Sequence, residues 1–372
     1  MAEKSKALRE LSELLYRQNF RHFGVAEAMP APAAEREYRS WIESGYNGSM
    51  SYLTRHAGKK YRPDLLLPGC RSIIMVCINY YQEDADTRDA DSRATSAHTP
   101  VAAPPVGESL APGRGIISLY AWGRDYHKVL GGRLRRICGA LHDKYPGDRF
   151  APFSDSTPLD ERYYAGAAGL GFPGKNSMLI TREFGSWVFL GGILSTYPFE
   201  PSANKTQVCM CPSTCNLCIK ACPTGALIAP HKIDASKCIS YLTIENKGIV
   251  PAEIRQSIDG RLFGCDRCQS VCPFNKTAKQ TYEQDFHNHI AGPTLDLLSV
   301  LKIKNDEEFV RNFAGSPLMR AKRNLLVRNA CIAASNRKLY SAYSVLEQLS
   351  EDTSPIVAAH AEWAAKILSS QT

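Results

Sequence analysis

No stretch of this sequence is apolar for long enough to cross a membrane, which takes about 20 residues. The N-terminus, MAEKSKALRELSELL, lacks the apolar centre of a secretory leader and carries acids among its bases. Export is therefore not expected, and a cytoplasmic setting disfavours structural disulfides. Between Glu83 and Arg114 large apolar side chains almost vanish, replaced by Asp, Ala, Pro, Ser and Thr. That composition predicts a long exposed loop over 83–114. Acids are missing from PLMRAKRNLLVRNACIAASNRKLY, which carries Arg320, Lys322, Arg323, Arg328, Arg337 and Lys338. A solvated helix face normally mixes signs, so a one-sign cluster suits phosphate contacts.

What remains is ordinary globular material with one unusual concentration. The chain has 372 residues, 44% hydrophobic and 22% charged, enough for two or three domains. Its net charge of +8 permits an anionic partner. The run SIIMVCINYY (72–81) is continuously apolar and β-branched, as a buried strand requires. Around it the patterning predicts an N-terminal amphipathic helix, a strand at HFGVAEA and a basic helix over about 126–144. A strand ending at Asp155 follows, then strands at MLIT and SWVFLGGIL. Beyond the cysteines, helical periodicity in MRAKRNLLVRNACIAAS and AAHAEWAAKIL suggests HEAT-like hairpins.

The concentration is cysteine: of thirteen in the chain, five fall within CMCPSTCNLCIKACPTG (209–225). Its tail, C-x2-C-x3-C-P, is the ending of a bacterial ferredoxin run, whose last cysteine serves the other cluster. A second copy, CDRCQSVCP, spans 265–273, and Cys238 lies between the two. Three thiolates on a tight loop cap one face of a cubane and the fourth arrives from elsewhere. Two 4Fe–4S clusters result, one on Cys211, Cys215, Cys218 and Cys272, the other on Cys222, Cys238, Cys265 and Cys268. Paired C-x2-C also suits zinc, which would leave the C-x3-C-P endings unexplained. The first ligand stays open: neither Cys209 nor Cys211 sits at ferredoxin spacing before Cys215, and Cys211 is nearer to it. Cys70, Cys77, Cys138 and Cys331 read as small buried hydrophobes.

These runs combine with YAWGRDYH (120–127), DSTPLDER (155–162), GLGFPGKNS (169–177), GSWVFLGGIL (185–194), CISYLTIENKG (238–248) and GCDRCQSVCP (264–273). Together they resemble the epoxyqueuosine reductases, cobalamin-dependent enzymes of tRNA queuosine synthesis. The resemblance implies a mixed α/β (α+β) cobalamin-binding domain over 1–205 and a ferredoxin-like two-cluster module over 206–285. An α-helical, HEAT-like, tRNA-holding domain would occupy 286–372. It implies reduction of epoxyqueuosine to queuosine at the tRNA wobble position by cob(I)alamin, fed through two 4Fe–4S clusters by an external low-potential electron donor. The chain would act as a monomer, without a membrane.

Asp155 matches the family's proton donor. Losing the epoxide oxygen as water requires an acid, and a carboxyl facing a buried corrin would have its pKa raised by desolvation. The same carboxylate would equally serve to cap a helix beginning near Pro158. Cobalamin contacts are implied at Lys60, Ser118, Asp155, Asn176, Leu179, Leu190, Ser240, Asp266 and Arg267. Lys175 is expected beside Asn176 at corrin amides. His127 sits in a near miss, D-Y-H-K-V-L-G, of a cobalt-histidine motif and reads as a pocket residue. The glycines of GLGFPGKNS fail the dinucleotide pattern, because their loop follows a helix rather than a strand. Phosphate contacts are expected from Lys247, Arg320, Lys322, Arg323 and Arg328. A cobalamin-dependent reductive dehalogenase is the competing class, although its members are usually exported.

Overall fold

The structure is a computed structural model that describes residues 2–83, 113–202 and 208–370. The loop expected over 83–114 lies, apart from its ends, outside the described residues. A four-stranded antiparallel sheet is built in the order His22–Glu27, Ser72–Asn79, Val188–Ser195, Phe150–Phe153. Every residue of Ser72–Asn79 is buried, because this strand lies between two others and helices cover both faces. That double cover is why its sequence reads as an unbroken apolar run.

One face carries the helices Ala2–Arg17 and Tyr126–Lys144. The second presents Leu130, Leu134, Ile137 and Leu141 at helical spacing to the sheet. Asp125 caps it, accepting from the His127 amide at 3.0 Å. On the other face, Tyr164 and Ala165 of the helix Glu161–Ala167 pack against Ala26, Ile73 and Met75. Close approach there needs Gly24, where an added Cβ would lie 2.1 Å from the Ala168 carbonyl oxygen.

A second, three-stranded sheet joins distant parts of the chain. Arg114–Ile117 is its centre, parallel to Arg261–Phe263 and antiparallel to Thr294–Asp296. It takes one strand from each of the three segments read as domains, and one apolar cluster runs from Ala7 to Leu368. The C-terminal part is helical, with Lys322–Asn336 packed against Pro355–Ser369. Among the described residues no helix is long and apolar enough to cross a membrane.

The basic stretch before and within the helix Lys322–Asn336 divides. Arg328 is completely buried, donating to the carbonyls of Leu242, Asn246 and Gly248 at 2.5, 2.6 and 2.9 Å. Arg323 is buried against Asp352, paired at 2.6 Å. Neither can meet a phosphate. Both were expected on the surface, because the sequence registers charge but not the direction it faces. Lys322, Arg320 and Lys247 remain exposed.

Candidate active site and cysteine cages

A cavity of about 620 Å³ opens where the three segments meet. Tyr126, His127 and Asp155 line it from the first, Cys238 and Ser240 from the second, Arg320 from the third. Asp155 sits just past the strand Phe150–Phe153, in the left-handed region at φ 55°. Aspartate is among the few non-glycine residues that adopt that conformation, usually with local hydrogen bonds. Here the Asp155 amide donates to the Glu161 carboxylate at 2.6 Å. The helix Glu161–Ala167 is capped instead by Asp160, whose carboxylate accepts from the Tyr163 amide at 3.1 Å. Capping therefore does not account for Asp155.

The Asp155 carboxylate faces His127 Nε2 at 3.1 Å and Arg320 at 3.5 Å. His127 Nδ1 in turn meets Asp125 at 2.8 Å. The hydrogen bond with His127 holds the Asp155 carboxyl below its ordinary value against the opposing effect of burial. The rise expected from desolvation is thus reversed by an imidazole and a guanidinium that the sequence did not place. Burial alone would lower His127, but its bonds to Asp125 and Asp155 outweigh that and push it up to about 9. Burial pushes Glu161 up to about 8. At neutral pH the site therefore holds protons on the imidazole and on Glu161, beside an ionised Asp155.

The expected cobalamin contacts do not all gather here. Asp155 and Ser240 line the main cavity. Ser118, Asp266 and Arg267 line a small neighbouring one, where the Ser118 hydroxyl bonds Asp266. Lys60 lies behind Asp160, its ammonium over the Tyr38 ring at 5.2 Å. Leu179 is buried in the core with Leu190 packed alongside. Asn176 faces the first cysteine group, its amide donating to the Cys268 carbonyl at 3.4 Å. Sequence reasoning gave no role to Glu161, to Asp125, or to Glu245, which lines the cavity and pairs with Arg320 at 2.5 Å. All three lie in the stretches that carry the resemblance or next to them, so the signal was present but unassigned.

The cysteines form two groups. Cys211, Cys215, Cys218 and Cys272 surround one small cavity. Cys222, Cys238 and Cys265 stand close enough to Cys268 to raise its thiol further, beyond the larger effect of burial. Cys209 does not line the first cavity but touches the Cys211 thiol. Among the described residues no three His, Cys, Asp or Glu side chains converge on a point where a single metal ion could sit. Cys77, Cys138 and Cys331 are buried singly. Cys238 belongs to the second group and also lines the main cavity, so that group and the Asp155 carboxylate share one wall.

Residues 211–275 match the family model of a 4Fe–4S double cluster binding domain. Fold and site thus define an iron–sulfur protein with a large, acid-bearing cavity beside its second cysteine group. Residues 60–156 match the model described as epoxyqueuosine reductase QueG. The epoxyqueuosine reductase of Xanthomonas campestris is 36% identical over 334 residues, 89% of this chain and 87% of that protein. That of Pseudomonas aeruginosa is also 36% identical, covering 89% of this chain and 86% of that one. The chain belongs to the epoxyqueuosine reductase family. Among solved structures, an epoxyqueuosine reductase with an epoxyqueuosine-modified tRNA-Tyr stem loop superimposes with a TM-score of 0.84 at 29% identity. The match covers 98% of this chain and 91% of that one. A Bacillus subtilis structure, equally similar at a TM-score of 0.84, has its catalytic aspartate loop swung out of the active site.

Proposed function

We propose that this chain reduces epoxyqueuosine to queuosine at the wobble position of tRNA, in a site that binds cobalamin and draws electrons from two 4Fe–4S clusters. The observation that carries the reading is the shared wall of the main cavity, where Asp155 and Cys238 both face the interior. The reaction takes up two electrons and two protons, breaks the epoxide C–O bonds, and releases the oxygen as water. Such a site must present reducing equivalents and an acid together.

The cavity suits a large flat cofactor: it is open, formed by three segments, and walled by Met50, Tyr120, Ile233 and Tyr241. Both ring nitrogens of His127 are engaged by Asp125 and Asp155, so no imidazole is offered to cobalt. Cobalamin, when bound, supplies low-valent cobalt able to attack the strained ring carbon. The protein's own residues handle the protons. His127 holds one on Nε2 and shares it with Asp155 Oδ2. Displacing water around Asp155 raises the cost of its negative charge, which drives that proton onto the carboxyl and from there to the departing oxygen. Tyr126 and Arg320 orient Asp155, and Asp125 keeps the imidazole in the correct tautomer.

Clusters held by the two cysteine groups would supply electrons from an external low-potential donor, with the Cys238 group at the cavity wall. Exposed Lys247 and Lys322, with Arg320 at the cavity, supply phosphate contacts for the tRNA. The HEAT-like helical layer carries Lys322. Asp155→Asn tests the acid assignment. The variant should bind cobalamin and tRNA normally and lose turnover; undiminished queuosine formation would remove Asp155 from its role.

A further inference from the structure

Lys175 belongs to the GFPGKNS hairpin and was expected at the cofactor. The structure turns it toward the cysteines instead. Its ammonium donates to three carbonyl oxygens, Pro212 at 2.6 Å, Ser213 at 2.9 Å and Cys215 at 2.8 Å. Its side chain lines the same small cavity as Cys211, Cys215, Cys218 and Cys272. Among the described residues it pairs with no carboxylate. All three carbonyls lie in the Cys211–Cys215 turn, C-x3-C rather than C-x2-C, which holds one residue more than the ferredoxin spacing allows. The Pro212, Ser213 and Cys215 oxygens of this wider turn all face the ammonium. An ammonium with three donors is the one side chain that can satisfy three such acceptors from a single point.

We propose that Lys175 is a positioning residue for the first cluster: it clamps the widened Cys211–Cys215 turn into ligating shape and raises that cluster's reduction potential. The inference rests on the 4Fe–4S reading of the Cys211, Cys215, Cys218 and Cys272 group. Reduction adds one electron from the external low-potential donor to a cluster already negative with its four thiolates, and no bond or proton changes. A fixed positive charge beside the thiolates favours the more negative, reduced state. The same clamp is consistent with Cys211, rather than Cys209, closing the group, because Cys211 lines the cavity that Lys175 also lines and Cys209 does not.

The test uses the full chain reconstituted anaerobically with iron and sulfide, comparing wild type, Lys175→Met, Lys175→Arg and the distant surface change Lys302→Met. Iron and sulfide are counted per chain, and each cluster is titrated potentiometrically with electron paramagnetic resonance detection. Lys175→Met should lower the first cluster's potential alone. At the wild-type midpoint its reduced fraction should fall about tenfold relative to the oxidised, equivalent to about 59 mV for one electron. That cluster should also be the one stripped first by chelator. Lys175→Arg, which keeps the charge, should stay near wild type in potential, and Lys302→Met should match wild type throughout. Unchanged potential and iron retention in Lys175→Met would overturn the proposal, as would equal shifts at both clusters. A wild-type chain that takes up no cluster would instead sink the 4Fe–4S reading, and this proposal with it.

Discussion

The imidazole of His127 offers the sharpest physical test of the site, because two carboxylates hold it charged where an ordinary histidine would be neutral. Its pKa is pushed up to about 9 from 6.5. A shift of that size is worth about 3 kcal/mol if water is excluded. The side chains of His127 and Asp155 are 33% and 46% exposed, so screening reduces the net contribution to about 1–2 kcal/mol. Because the folded value is raised, this stabilisation is complete below pH 6.5 and is lost as the pH climbs through about 9. Asp125→Asn removes one of the two partners and should bring the midpoint about one unit or more back toward 6.5. Histidine-labelled protein, followed by the imidazole carbon-bound proton signals across pH 5 to about 10, reads both values. A wild-type midpoint at or below 6.5, or an Asp125→Asn variant that titrates like wild type, would refute the storage of a proton on this ring.

Three further outcomes follow from named contacts. Glu161→Ala frees the Asp155 amide from its 2.6 Å acceptor at a left-handed backbone position, so kcat should fall about tenfold or more while KM for tRNA stays the same; Glu161→Gln keeps an acceptor there and should retain most activity. Cys211→Ser should lose one cluster and Cys209→Ser should lose none, by iron count; the reverse pattern would reassign the first ligand. Arg328→Met strands the carbonyls of Leu242, Asn246 and Gly248 in the core and should cost about 1–3 kcal/mol, seen as a lowered thermal midpoint.

The secondary structure that positions the site was largely legible because its signals are local. The helix Tyr126–Lys144 follows its apolar spacing, and the strand Ser72–Asn79 follows its unbroken apolar run. Cysteine spacing likewise anticipates that Cys211, Cys215, Cys218 and Cys272 gather around one cavity, since it is the spacing of a ferredoxin-type cluster run. What escaped was direction and protonation. Arg323 and Arg328 carry the same charge as Lys322, yet the turn of one helix buries the first two and exposes the third. The Asp155 carboxyl is held down rather than up because His127, 28 positions away, and Arg320, from the C-terminal part, come to face it. Lys175 could not be aimed from sequence either, because its partners lie 37 to 40 positions downstream. Such pairings exist only once the segments have packed.

One reaction tests the assignment of epoxyqueuosine reduction most directly. The chain is reconstituted anaerobically with iron, sulfide and cobalamin, given a low-potential reductant, and mixed with tRNA carrying epoxyqueuosine; nucleosides are then digested and identified by mass. Queuosine should accumulate, and it should fail to appear when cobalamin is withheld or when Asp155 is replaced by Asn. Epoxyqueuosine left untouched by the complete mixture, or converted equally well without cobalamin, would contradict the account.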